Sequence, residues 1–500
     1  MTPSRWLVAI AFGGLVFLAA AFWYLMSPGP LTFAGAETVH LADYKESNPT
    51  GVPAELAQSD PISRGRYLTD AADCQTCHTR EGGVPFAGGR AFKTRFGTLY
   101  SSNITPDRET GIGAWSPDDF LRAVHKGVRP DGAHLYPAFP YAAYTYLADD
   151  DVQAIWAYLR SLPAVRNPTP ANELAFPFNQ RWLMGIWSGL FNPDRRFAPN
   201  VRQSPEWNRG AYLAEGLAHC GDCHTPRNAL QALNNRHKFS GALTAGWRAY
   251  NITSHPVSGV GVWSNEDLAK YLATGHAVNH GTASGPMGEA VDLSLSKLTP
   301  SDIRALVTYV RSIPPVASPN LPAVRNEVAG ATPWSGANKS PDSLGREVFA
   351  AACAGCHSWT GTSPLMDRAT LIGSRAINDP SAVNVVQMVL NGSPAGSSSP
   401  QQHAGLRCRL LRCRDRSSRQ LRYGEIRCRG LCRYPSHGCA SAHNDVTAVD
   451  NADRLQQLPA RERHPRLGAP VAFARQGAQA AVGVAVHWSN LSLHRTRNPG

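Results

Sequence analysis

Six of the chain's 11 cysteines stand in three identical frames: Cys74-Gln-Thr-Cys77-His78, Cys220-Gly-Asp-Cys223-His224 and Cys353-Ala-Gly-Cys356-His357. Two thiols with two residues between them lie about one helical turn apart. Both can then form thioethers to the vinyl groups of one haem, and the next residue offers its imidazole to the iron from the proximal side. The competing chemistry is structural zinc, which takes four ligands, whereas each frame offers two thiols and one imidazole. A disulfide across two residues would not call for the histidine. The frames therefore predict three covalent c-type haems. Cys74, Cys77, Cys220, Cys223, Cys353 and Cys356 are the attachment points, and His78, His224 and His357 the iron ligands.

An electron-transfer haem also takes a distal ligand, and methionine raises its potential. Ser284-Gly-Pro-Met287-Gly places one of only six methionines in a Gly/Pro loop, fifteen residues before a helix-like run. Met287 is the expected distal ligand of the second haem. The matching loop after the first frame reads Leu135-Tyr-Pro-Ala-Phe139-Pro-Tyr, with Phe139 where a ligand is expected. The first haem is then capped by His125, His134 or Met184, or left five-coordinate. Met366 and Met388 are both poorly placed to serve the third.

The elements that position these residues repeat. Tyr67 of Arg64-Gly-Arg-Tyr67 stands seven residues before Cys74, and Tyr212 of Arg209-Gly-Ala-Tyr212 stands eight before Cys220. Asn-Ile-Thr follows at 103–105 and 251–253, then Gly-Ile-Gly-Ala-Trp115-Ser and Gly-Val-Gly-Val-Trp263-Ser. Each unit closes on apolar residues at i, i+3, i+4 and i+7, starting at Asp151 and Asp302 and stopped by Pro163 and Pro314. Such runs predict amphipathic helices. The expected fold is all-α: three tandem haem domains at 60–165, 206–316 and 341–402, joined by linkers at 166–205 and 317–340. The linker segment Phe176–Phe191 is unusually aromatic. It packs on its own domains, docks a partner or lies at a membrane interface.

Trp6 to Met26 is an uncharged run of 21 residues behind Arg5. A bilayer-spanning helix needs about 20 apolar residues, and a signal segment about 7–15. Residues 1–36 are expected to be a membrane-spanning anchor, with a removable signal ending near Ala34-Gly-Ala36 as the alternative. This places the body at the bacterial inner membrane, facing the periplasm.

Charge separates the chain into two parts. His403 to Gly500 holds 17 arginines, no lysine and six acidic residues, whereas the first 402 residues balance at 32 basic to 31 acidic. The net charge of +12 therefore belongs to the tail, and a nucleic-acid-binding body is excluded. The tail, 403–500, has no apolar period and is expected not to fold natively, because the reading frame shifts near residues 393–402.

The three frames, the Asn-Ile-Thr and Gly-x-Gly-x-Trp-Ser blocks, the Leu-Tyr-Pro-Ala-x-Pro-Tyr loop and the Gly-Pro-Met287 loop are similar to one family across residues 40–400. It is the three-haem cytochrome c subunit of bacterial membrane-bound dehydrogenases, of the alcohol and gluconate 2-dehydrogenase type. Similar subunits serve molybdenum enzymes that oxidise aldehydes or N-heterocycles. In that family the first loop usually carries methionine where this chain has Phe139. The resemblance implies an electron-transfer subunit, not an enzyme. It would accept electrons from a catalytic dehydrogenase subunit and pass them to membrane quinone or a terminal oxidase. The alternative is a peroxidase-like enzyme using an open distal site at the first haem.

Overall fold

The computed structural model describes residues 6, 10–18, 20, 37–46, 48–192, 194–318, 320–324, 343–393 and 403–404. Units one and two share one construction. An opening helix (Pro61–Ala71; Pro205–Tyr212) starts behind a capping Asp60 or Ser204 with proline in its first turn. The closing helix (Asp149–Ser161; Pro300–Ser312) packs across it. The crossing explains the repeated Arg-Gly. A Cβ on Gly65 would sit 1.9 Å from the Ala154 carbonyl oxygen, and one on Gly210 would sit 1.9 Å from that of Ala305.

Between these helices each unit runs through its Cys-x-x-Cys-His turn, a hairpin, and a third helix (Pro117–Lys126; Asn265–Thr274) capped by Ser116 or Ser264. The Asn-Ile-Thr repeat is a clamp. Asn103 Oδ1 accepts from the Thr105 amide and hydroxyl while its Nδ2 donates to the Val165 carbonyl at 2.7 Å. Asn251 does the same with Thr253 and Val316.

The all-α expectation is corrected. Ala91–Thr94 pairs antiparallel with Gly97–Tyr100, which also takes Glu173–Leu174 as a third strand. Ala242–Thr244 pairs with Trp247–Ala249, and His276–Ala277 with Gly281–Thr282. The turn at Ala245-Gly246 holds both residues at positive φ (51° and 77°), the backbone a two-residue hairpin loop requires. Phe, Thr, Leu and Tyr in the first hairpin suit a pleated, half-buried surface.

Units one and two are not beads on a string. Leu68, Leu147, Val152 and Leu159 of unit one and Tyr212, Leu213, Leu217 and Leu306 of unit two belong to one continuous core. A reciprocal polar lock crosses it. Tyr67 of unit one donates to Asp302 of unit two at 2.6 Å, and Tyr212 of unit two donates to Asp151 of unit one at 2.6 Å. Each aspartate also holds its own unit's arginine, Arg64 on Asp151 and Arg209 on Asp302. Both carboxylates are almost wholly buried, and burying a charge is tolerable only when it is paired and hydrogen-bonded.

The eight-residue spacing in unit two also has a structural cause. Leu213–Leu217 forms a π-helical turn that absorbs the extra residue between Tyr212 and Cys220.

Unit three has an opening helix at Ser343–Ala352, its own frame at Ala354–His357, and a helix at Val383–Asn391. It leans on unit two's first hairpin, Ala242–Thr244 with Trp247–Ala249. Asn384 accepts from the Arg248 amide and donates to the Arg248 carbonyl, and Asp379 pairs with Arg248 at 3.0 Å. In the aromatic linker segment, helix Trp182–Phe191 turns Trp187 and Phe191 inward, and Trp187 meets Tyr141 edge-to-face. Trp182, Ile186 and Leu190 face outward.

The membrane-spanning helix, and with it the inner-membrane placement, is also corrected. Among the described residues no helix is long and apolar enough to cross a membrane. The described helical stretch of the N-terminal run is 10–18. Apart from Trp6 and Ala20, the rest of residues 1–36 lies outside the described residues. So does the proposed tail beyond Ala404.

Candidate functional site

Each frame forms a single helical turn closed by the histidine. His78 N donates to the Cys74 carbonyl, His224 N to Cys220 and His357 N to Cys353, each at 3.0 Å. All six cysteines are free thiols. In every frame the imidazole Nδ1 is turned onto a backbone carbonyl: His78 onto Ser102 at 2.7 Å, His224 onto Tyr250 at 2.6 Å and His357 onto Ala369 at 2.6 Å. That bond fixes Nδ1 as the protonated nitrogen and orients the ring, so that Nε2 is the atom left for a metal.

Burial favours the neutral forms in units one and two. It holds His78 and His224 below the usual imidazole value. It also pushes the Cys77 and Cys220 thiols up to about 12 and Cys223 up to about 11. A zinc site would need thiolates gathered around one centre. Among the described residues no three His, Cys, Asp or Glu side chains gather in that way. Two neutral thiols one turn apart and a neutral imidazole with an anchored Nδ1 fit a covalently attached haem.

The distal segments align by geometry. The helix of unit one ends at Gly127 (φ 65°) and that of unit two at Gly275 (φ 70°). Leu135 N then donates to the Gly127 carbonyl, and Ala283 N to that of Gly275, both at 2.7 Å. The bridge Val128–His134 in unit one corresponds to the pairing of His276 with Thr282 in unit two. Five residues beyond His134 and Thr282 lie Phe139 and Met287. Phe139 thus holds the register position of Met287, and both side chains pack, partly buried, against the common core. Met287 is not in a loop but is the second residue of helix Pro286–Leu293.

The other candidates for the first site lie on or beside neighbouring helices. His125 is 1% exposed, and its Nδ1 lies 3.7 Å from Asp149. His134 Nε2 lies against Gly185 of the aromatic helix, where a Cβ would be 2.8 Å from it. Met184, on the same helix, is partly buried. In unit three, Met366 precedes the short turn Asp367–Ala369, and Met388 is partly buried on helix Val383–Asn391.

The two units exchange these distal segments. Helix Pro286–Leu293 of unit two packs against the Cys74–Cys77 turn of unit one. Arg90 links them, donating to the Thr76 carbonyl at 2.7 Å and to Glu289 at 2.6 Å. In return, helix Tyr141–Tyr144 of unit one packs on the π-helical turn that leads into Cys220. Sequence reading missed both this exchange and the Tyr–Asp lock. The signal for the lock was present, since Arg, Tyr and Asp recur in both units at matching places. Which aspartate each tyrosine meets is a tertiary fact.

No family model matches the chain. It is 42% identical over 328 residues to the fructose dehydrogenase cytochrome subunit of Gluconobacter japonicus, covering 63% of this chain and 67% of that protein. It is 37% identical over 343 residues to the gluconate 2-dehydrogenase cytochrome c subunit of Pantoea cypripedii, covering 66% of this chain and 77% of that protein. A nicotinate dehydrogenase chain of Pseudomonas putida is 43% identical over 340 residues, 67% of this chain, but the match spans only 27% of that protein's length.

Proposed function

The chain belongs to the family of cytochrome c electron-transfer subunits of dehydrogenase complexes, and from that premise we propose that it carries electrons through three covalent c-type haems. They would be taken from a catalytic dehydrogenase subunit and delivered to quinone or a terminal oxidase. The observation that carries this reading is the threefold recurrence of one geometry. Each frame offers two thiols on one turn and a histidine whose Nδ1 is committed to a backbone carbonyl. Bound haem would supply a one-electron iron couple. Cys74 and Cys77, Cys220 and Cys223, and Cys353 and Cys356 would hold it by thioether bonds. His78, His224 and His357 would ligate the iron, and Met287 would be a further ligand in unit two.

The chain's own residues would then set the potentials. At His78 and His224 burial favours the neutral imidazole, which would limit competition from protons for the iron. A thioether ligand from Met287 would favour the reduced iron, whereas Phe139 offers no ligand at all. The first site therefore differs in kind from the second. The peroxidase-like alternative rests on that one residue.

A pyridine haemochrome assay on chain matured in a cytochrome c-producing host is expected to give three haems. One or two would refute the count. Phe139→Met should convert the first haem to a Met-ligated one, raising its potential and suppressing carbon monoxide binding. Wild-type protein that binds no carbon monoxide at any haem would show that the first iron already has a sixth ligand.

A further inference from the structure

The two attachment turns of units one and two are joined by a specific pair of side chains. Tyr144 ends the short helix Tyr141–Tyr144 of unit one and is buried. Its hydroxyl donates to the Ala72 carbonyl at 2.6 Å, two residues before Cys74. The same ring meets that of His219 in a T-shaped arrangement, with centroids 5.5 Å apart and planes at 75°. His219 immediately precedes Cys220. One side chain thus touches the backbone leading into the first frame and the residue leading into the second.

Three further observations support a dedicated bridge. Tyr144 lies within electrostatic reach of Cys74 and Cys77 in one frame and of Asp222 in the other. Cys77 and Cys223 are likewise within reach of each other. His219 sits at positive φ (34°), as Asp73 does at the equivalent position before Cys74 (52°). This placement follows from the π-helical turn Leu213–Leu217, which carries the extra residue of unit two. Single π-helical turns often mark functional sites and cost helix regularity. Here the irregularity delivers an aromatic side chain to the contact between the two frames.

We propose that Tyr144 and His219 form the electronic contact between the first and second haem sites. The inference rests on the haem reading above and deepens it. The transfer is of one electron: one iron is oxidised as the other is reduced. No bond is made or broken. No proton leaves Tyr144, whose hydroxyl stays on the Ala72 carbonyl.

The test is intramolecular electron equilibration in full-length holoprotein after pulsed reduction, with haem content, visible spectra and midpoint potentials measured on the same samples. Tyr144→Leu and His219→Leu are each expected to slow equilibration between the first two haems severalfold, at unchanged haem content and potentials. Tyr144→Phe keeps the ring against His219 and should recover much of the rate. Phe120→Leu alters an equally buried aromatic that packs on Trp156 in the same core, and should leave the rate alone. Wild-type rates in both leucine variants would overturn the inference. So would an equal slowing in Phe120→Leu, which would mark a general loss of packing. Fewer than two haems in the wild-type chain would overturn the haem reading itself, and this inference with it.

Discussion

His125 shows what burial does to one side chain. Unit two has Ala273 at the same place before its terminal glycine, whereas unit one encloses an imidazole there. Burial lowers His125 to about 4, and Arg196 adds to the effect against the opposing pull of Asp149 and Asp194. An unfolded histidine titrates near 6.5. Between about pH 6.5 and 4 the unfolded chain therefore binds the extra proton. The stability is fully present above 6.5 and is lost as pH falls through that window, to an extent of about 3 kcal/mol at most. His125→Ala should flatten the pH dependence of urea unfolding midpoints between pH 7 and 4.5. A slope equal to wild type would show that other groups set it. At this scale the frames were legible in the sequence as contiguous motifs, and the structure closes each on one turn with the histidine amide on the first cysteine's carbonyl. The partners of the histidines were not. Ser102, Tyr250 and Ala369 contribute backbone carbonyls, which any residue would supply.

Among the elements, the helices were legible from their apolar period and caps, since both are local. The hairpins were not. Four-residue strands are too short for a period to declare itself, and Ala245-Gly246 is a weak turn signal. The joint core was hidden for another reason: repeated units look independent in sequence even when each supplies the other's missing wall. That joint core makes a prediction about the lock. Asp302→Ala removes the buried partner of Arg209 and the acceptor of Tyr67. Losing one member of a buried pair costs about 3–5 kcal/mol. Gly210→Ala acts at the same crossing by driving a Cβ into the Ala305 carbonyl. Both variants should lower the unfolding midpoint of units one and two together, in one transition followed by absorbance at both haems. Two separated transitions would show that the units fold independently.

At the scale of the whole molecule, unit three follows its siblings and then departs from them. Helix Val383–Asn391 ends at Gly392 (φ 73°), as the corresponding helices end at Gly127 and Gly275. Gly392–Ser393 pairs with His403–Ala404, where unit two pairs His276–Ala277 with Gly281–Thr282. A distal loop and a closing helix should come next. The stretch where that helix would fall lies outside the described residues, and the sequence from Arg407 onward is rich in arginine and cysteine without an apolar period. Codon structure offers a cause. Arginine codons of the CGN type, read one base later, begin with G and encode Ala, Gly, Asp, Glu or Val. One permitted coding of His403 to Tyr423, read from its second base, gives Met-Pro-Gly-Phe-Ala-Ala-Ala-Phe-Ser-Asp-Ala-Glu-Ile-Ala-Ala-Val-Ala-Asn-Tyr. That is a methionine loop followed by the closing pattern seen from Asp151 and Asp302. The first and third letters of the shifted codons are largely imposed by the residues present, so the match is not free invention. We therefore expect the basic charge of the tail to be a product of a shifted frame. Resequencing the gene across codons 390–405 should reveal a missing or extra base. The restored chain should gain a methionine ligand at the third haem, read as a rise in one midpoint potential while the other two stay fixed. A clean frame, reproduced in independent isolates, would instead make the arginine-rich tail a native part of the protein.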